Sequence, residues 1–313
     1  MRIVFMGTPE YSVATLKALI NAGHSVEAVF CQPDKPVGRK RILTAPPVKV
    51  YAEEQGIKVY QPDSLRTDEA YEILKNIAPD VIVVVAYGKI LPERILSLPR
   101  LGCFNGHASI LPKYRGASPI QWAIVNGEKE TGVTVQQMDK GIDTGDILGI
   151  TKVEINDDEI SDTLFEKLST VSADLMVETL LKAENGALNP IKQNENEASY
   201  APIITKEMAL IDFNKPAEEI RNLVRGFNSW PVAFCYFEGK RLKIYGCTVS
   251  GKSNAAAGTV VDENTLAVAC GDGQCIILTD IQLEGGKRMS AYDFLKGKKI
   301  PNGMVLTQGE DRG

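Results

Sequence analysis

The sequence predicts an α/β protein: a mostly parallel sheet flanked by helices, followed by a small β barrel. Three observations predict it. RIVFMG is an apolar run closed by Gly7, followed by a helical pattern over 11–22 and a second apolar run over 26–31. Strand, helix, strand in that order opens a parallel sheet. DVIVVVAYG is a near-continuous apolar run ending at Gly88, as a central strand covered on both faces requires. Beyond residue 211 the pattern changes to short β-like runs at close spacing, which suits a small barrel.

The elements follow in order. After the second strand, QPDKPVGRKRILTAPP (32–47) reads as a loop without structure of its own, rich in proline, glycine and cations. Loops this long are uncommon and often functional. A helix is expected over 48–54, a short strand over 58–60 and a helix over 68–76. The apolar strand before Gly88 comes next, then a short strand over 102–105 leading to His107. A helix over 118–126 and strands over 131–138 and 147–155 precede a long helix over 161–183. Residues 186–202 are polar with little periodicity and read as a linker. A helix over 217–226 is then followed by strands over 232–237, 242–249, 258–261, 265–269 and 275–281. The expected domains are 1–205, including the linker, and 206–313. The turn Gly7-Thr8-Pro9 makes the first domain only loosely Rossmann-like: GxGxxG is absent, which leaves dinucleotide binding with little support.

Composition narrows the class. The chain has 313 residues, 44% of them hydrophobic, enough for ordinary cores. No apolar run approaches the roughly 20 residues that cross a bilayer; the longest, 81–86, fits a buried strand. MRIVFMGTPE lacks the long apolar region of a signal peptide, so a soluble, cytoplasmic protein without membrane contact is expected. Six cysteines stand without CxxC spacing and only two histidines occur, at distant positions, so a Cys/His zinc site is not expected. The net charge is −5, but residues 206–313 carry 14 cations and 13 anions against 21 and 27 before them. The second part is therefore nearly neutral, with local basic clusters.

The most informative stretch is NGHASILPKYRGASPIQWAIVNGEKETGVTVQQMDKGIDTGD, from Asn105 to Asp146. Ligands of open parallel sheets sit outside the carboxyl ends of strands, the edge at which Asn105 and His107 fall. Asp143 lies in a loop between two strand-like runs, near Gly141 and Gly145. A carboxylate facing an imidazole orients it, and an amide NH₂ and an imidazolium can both donate to an oxyanion. That set suits acyl transfer through a tetrahedral intermediate without an enzyme nucleophile. No serine or cysteine stands in a nucleophile elbow, which disfavours hydrolases. On spacing alone, the same residues also fit a turn amide, a surface histidine and a turn-capping carboxylate.

NGHASILPKYRGASPI with ETGVTVQQMDKGIDTGDIL resembles the folate-dependent formyltransferases. The resemblance extends along essentially the whole chain, through FMGTPEYSVATLKAL, QPDKPVGR, LTAPPVK, VVAYGKILP, SYAPIITKEMALIDF and AEEIRNLVRGFNSWPVAF. It implies a Rossmann-like formyltransferase domain followed by an OB-like barrel. The implied reaction moves a formyl group from 10-formyltetrahydrofolate to the amino group of methionine on initiator tRNA, with no catalytic metal. By position, Asn105 and His107 face the formyl oxygen, and Asp143 orients His107 or a proton-relaying water. Asp139 and Asp146 are expected in turn and backbone hydrogen bonding. One departure is Gly106, where a bulkier apolar residue is expected; a looser backbone between Asn105 and His107 would follow.

The resemblance further implies a folate wall of Ser109, Ile110, Leu111 and Pro112, with Tyr87, Gly88, Lys89 and Ile90 opposite. Arg39, Lys40 and Arg41 in the long loop would meet the tRNA acceptor stem. In the barrel, Lys240, Arg241, Lys243, Lys287 and Arg288 form basic clusters suited to phosphates. The chain is expected to act as a monomer. Two other readings share the motifs: an amino-sugar-nucleotide formyltransferase, whose second domain should not need basic clusters, and a non-catalytic folate- or RNA-binding protein. The intact Asn105, His107 and Asp143 speak against the latter.

Overall fold

The computed structural model describes residues 1–38 and 40–309, and the chain forms two compact units. The first comprises Met1–Pro119, Glu130–Glu154 and Phe165–Ala201; the second comprises Ile120–Lys129, Ile155–Leu164 and Pro202 onward.

The chain opens with β1 (Arg2–Gly7), α1 (Glu10–Asn21), β2 (Ser25–Phe30), β3 (Lys35–Val37), β4 (Ile42–Thr44), α2 (Pro47–Glu54), β5 (Val59–Tyr60) and α3 (Asp68–Ile77). There follow β6 (Val81–Val85), α4 (Glu93–Leu96), β7 (Cys103–His107), β8 (Arg115–Gly116), α5 (Pro119–Val125), β9 (Glu130–Gln137), β10 (Ile147–Glu154), α6 (Ser161–Glu184) and β11 (Tyr200–Ala201).

The main sheet has the order β10-β9-β7-β6-β1-β2-β5. Strands β5, β2, β1, β6 and β7 run parallel, while β9 and β10 add antiparallel at the far edge. The all-aliphatic β6 is buried throughout, as its central place demands. Val4, Met6, Phe30, Leu74 and Ile82 form a core on one face of the sheet, each contributing about 1.5–3 kcal/mol by burial. Helix α3 starts where the Thr67 hydroxyl accepts from Ala70 N–H at 3.3 Å, with Asp68 and Glu69 in its first turn. From β1 the chain moves outward to β2 and β5, then returns to β6 and moves the other way. The carboxyl ends of β1 and β6 therefore mark the switch point of the sheet, where the connections diverge.

Three sequence expectations need correction. The loop over 32–47 is not structureless: Lys35↔Thr44, Pro36↔Leu43 and Val37↔Ile42 pair in an antiparallel hairpin. Its turn is closed by Arg41 N–H on the Gly38 carbonyl at 3.1 Å. Prolines and cations obscured two three-residue strands that are exposed throughout and so carry no burial pattern. The strand expected over 102–105 runs on to His107, because β9 continues the ladder through Asn105↔Gln136, Gly106↔Val135 and His107↔Thr134. Residues 186–202 are not a free linker. Ile191 bridges Ile147, and β11 pairs with β8; the polar side chains between them satisfy groups of the first unit.

The second unit contains α7 (Ala217–Gly226), β12 (Phe234–Phe237), β13 (Lys240–Lys252), β14 (Val260–Asp262), β15 (Ala267–Ala269), β16 (Gln274–Leu283), β17 (Met289–Ser290) and α8 (Ala291–Gly297). Its antiparallel sheet has the order β12-β13-β16-β15-β14, with β17 on β16. The tail bridges both edges, Thr307 to Tyr236 and Val305 to Thr259, which curls the sheet into a half-barrel. Phe213, Ile220, Leu242, Ile276 and Leu278 fill it. No helix among the described residues is long and apolar enough to cross a membrane.

Candidate active site

Strand β7 alternates across the sheet, so Asn105 and His107 share a face and Gly106 takes the other. A Cβ at Gly106 would lie 2.9 Å from Ser172 Oγ and 3.4 Å from Val85 Cγ2. Glycine here lets α6 lie close on the strand. The paired ladder holds the backbone, so the expected loosening between Asn105 and His107 does not occur.

Asp143 joins these two side chains. Its Oδ1 accepts from Asn105 Nδ2 at 3.3 Å and from Gln136 Nε2 at 2.8 Å, and lies 3.5 Å from His107 Nδ1. Its Oδ2 accepts from Gly116 N–H at 2.9 Å. His107 is buried, and its Nε2 lies 2.9 Å from the Tyr114 carbonyl. A carbonyl only accepts, so Nε2 carries a proton and Nδ1 is the nitrogen turned to Asp143. Asn105 spends one amide hydrogen on Asp143 and has a second to offer. An amide donor, an imidazole nitrogen and a carboxylate thus converge at the carboxyl end of a strand, a set that can stabilise a developing oxyanion and relay a proton.

The loop is shaped to present Asp143. Asp143 adopts φ 54°, left-handed for a non-glycine residue. Asp139 Oδ1 accepts from Gly141 N–H at 2.9 Å and Thr144 Oγ1 at 2.6 Å, closing the turn. Asp146 sits 3.6 Å from Lys192, and its carbonyl accepts from Gln137 N–H at 2.8 Å. At Gly145 an added Cβ would stand 1.7 Å from the Gln137 carbonyl oxygen, so only glycine fits.

The expected folate wall divides. Ser109 and Leu111 are buried; Thr134 Oγ1 accepts from Leu111 N–H at 3.1 Å and donates to the Ser109 carbonyl at 2.7 Å. Ile110 and Pro112 are half-buried beside them. Opposite, Tyr87 lies in the core, with its carbonyl accepting from Thr8 Oγ1 and Gln32 Nε2, both at 3.1 Å. Gly88 is exposed, and its carbonyl also accepts from Gln32. Lys89 donates to the carbonyls of Pro62 and Asp63, and partial burial lowers its pKa. Ile90 is 70% exposed.

Among the expected tRNA contacts, Lys40 and Arg41 are exposed in the hairpin, where Val37, Ile42 and Leu43 also face solvent. Arg39 lies outside the described residues. In the second unit, Lys240 and Lys287 are exposed and Lys243 is half-buried. Two cations there are engaged: Arg241 lies 4.5 Å over the Phe234 ring, and Arg288 pairs with Asp280 and stacks 4.2 Å over Tyr245.

The sequence reading missed Gln136, Tyr114 and Gly116 as partners of the site. Gln136, a polar residue following the alternating Val133 and Val135 of β9, was the available signal, and it is buried. The other two act through backbone atoms, for which a sequence carries none.

Two family models match, Formyl transferase over residues 1–180 and Formyl transferase, C-terminal domain over residues 203–299. Together with the site they define a formyl transferase. A methionyl-tRNA formyltransferase of Caldanaerobacter subterraneus is 50% identical, covering 98% of this chain and all of that one. The methionyl-tRNA formyltransferase of Lachnospira eligens is 47% identical, over 98% and 99% of the two chains. Among solved structures, an N-formyltransferase from Helicobacter canadensis with folinic acid and dTDP-3-aminofucose superposes with TM-score 0.68 at 24% identity, covering 88% of this chain and 98% of that one. The chain belongs to the methionyl-tRNA formyltransferase family.

Proposed function

We propose that this protein transfers the formyl group of 10-formyltetrahydrofolate to the α-amino group of methionine on initiator tRNA. The observation that carries the mechanism is the convergence of Asn105, His107 and Gly116 N–H on the Asp143 carboxylate. The amine adds directly to the formyl carbon. Asn105, through its second amide hydrogen, and His107, when protonated at Nδ1, donate to the oxygen that gains charge. Asp143 holds His107 in that orientation and takes up, directly or through a water, the proton the amine sheds. The departing folate nitrogen gains a proton as the tetrahedral intermediate collapses. No covalent enzyme intermediate is needed.

On this reading, segments 87–90 and 109–112 bound the folate site. The buried Tyr87, Ser109 and Leu111, whose main-chain groups are bonded within the protein, hold these segments in shape, and the more accessible Gly88, Ile90, Ile110 and Pro112 would face the pterin. Lys40 and Arg41 with the neighbouring Arg39, and Lys240, Lys243 and Lys287, would contact tRNA phosphates, with Arg241 and Arg288 held against aromatic rings beside them.

The test is incubation with 10-formyltetrahydrofolate and charged initiator tRNA, with an amino sugar nucleotide as competitor. Formylmethionyl-tRNA is the expected product. Preferential formylation of the sugar would overturn the reading.

A further inference from the structure

We infer that Gln193 is a positioning residue for Asp143, and that the stretch carrying it straps the catalytic loop in place. Asp143 holds a left-handed backbone, φ 54°, which a non-glycine residue keeps only where its surroundings enforce it. The carboxylate end is held by Gly116, Gln136 and Asn105. The backbone end is held by one amide group: Gln193 Nε2 donates to the Asp143 carbonyl at 2.9 Å and to the Gly145 carbonyl at 2.7 Å. Both hydrogens of a single NH₂ thus span the residues on either side of Thr144.

The amide is itself fixed. Gln193 Oε1 accepts from Arg115 Nε at 3.1 Å and Nη2 at 2.8 Å. Arg115 also forks onto the Glu195 carboxylate at 2.7 and 2.8 Å, and is only 1% exposed. A guanidinium only donates and a carbonyl only accepts, so the orientation of the Gln193 amide is determined by its neighbours. Arg115 and Gly116 are the two residues of β8. One short strand therefore holds Asp143 twice, through the Gly116 N–H on its side chain and through Arg115 and Gln193 on its backbone.

The inference rests on the catalytic reading of Asp143, and its test keeps the two apart. Gln193→Glu retains an acceptor for Arg115 but turns an oxygen on two carbonyls. Formyl transfer by the full chain should fall about 10- to 100-fold in kcat, the scale of a misplaced catalytic group. KM for either substrate should stay within about threefold, since the interaction serves the chemical step. Gln193→Ala is carried alongside, so that a Q193E protein that does not fold still leaves a readout. In the Asp143→Ala background, either Gln193 change should add no further loss, because a residue acting through Asp143 has nothing left to position. A Q193A enzyme with full kcat, or losses that multiply with D143A, would overturn the inference. Near-normal kcat in D143A alone would instead overturn the catalytic reading on which it rests.

Discussion

His107 donates its Nε2 proton to the Tyr114 carbonyl at 2.9 Å, which leaves Nδ1 facing Asp143 Oδ1 at 3.5 Å. One ring nitrogen is committed to the fold, and on the proposed function the other serves the chemistry. His107→Ala should therefore lower kcat by about 10²–10³, the loss typical of one oxyanion donor and equal to roughly 2.7–4 kcal/mol. Folate affinity should change less than about threefold. Steady-state kinetics with a folate-binding titration check both numbers.

Gly145→Ala should be severe. Its Cβ would meet the Gln137 carbonyl at 1.7 Å, a backbone atom that cannot step aside. The loop carrying Asp143 must shift, lowering kcat by about tenfold or more and the melting temperature by several degrees. Gly251→Ala, where nothing stands within 4 Å, is the control and should match the parent.

The sheet was legible because its strands are long apolar runs: RIVFMG and VIVVV admit few other readings. The hairpin of β3 and β4 was not, since none of its strand residues is buried. The strap over 186–202 looked like a linker for a related reason. Gln193 and Glu195 serve a buried arginine 78 and 80 residues away, and polar side chains facing a partner look the same in sequence as polar side chains facing water. Asn105, His107 and Asp143 were legible as residues through family resemblance. Their meeting across 38 residues is a consequence of β7 and β9 pairing, which spacing alone does not supply.

The two substrates should respond differently to salt. Phosphate contacts release counterions, so tRNA binding should weaken steeply as salt rises while folate binding stays nearly constant. Replacing Lys40 and Arg41 together by alanine should weaken tRNA binding and reduce the logarithmic salt slope by about one for each phosphate left without its cation. Equal salt sensitivity for tRNA and folate would contradict the two-site account.

Acid should unfold the protein partly through Asp80. Its carboxylate lies below the ordinary carboxylate range, first because Arg2 N–H donates to it at 2.8 Å and then because Arg100 is near at 3.6 Å. A depressed acid stabilises the fold fully above its unfolded value, about pH 4, and that contribution fades as pH falls through the lower folded value. The melting temperature of Asp80→Asn should therefore lie below that of the parent at pH 7 and converge on it below about pH 4. A constant difference from pH 7 to pH 3 would show that the charge is not responsible.

If the Asp143 carboxylate organises the reacting groups, Asp143→Asn removes its charge with almost no change of shape. The asparagine would turn an amide toward donors that now bond two carboxylate oxygens. The decisive measurement is the single-turnover rate of formyl transfer to methionyl-tRNA at saturating folate donor. The rate should fall by about 10²–10³, the scale set by losing oriented charge at a transition state. A rate within about threefold of the parent would contradict it.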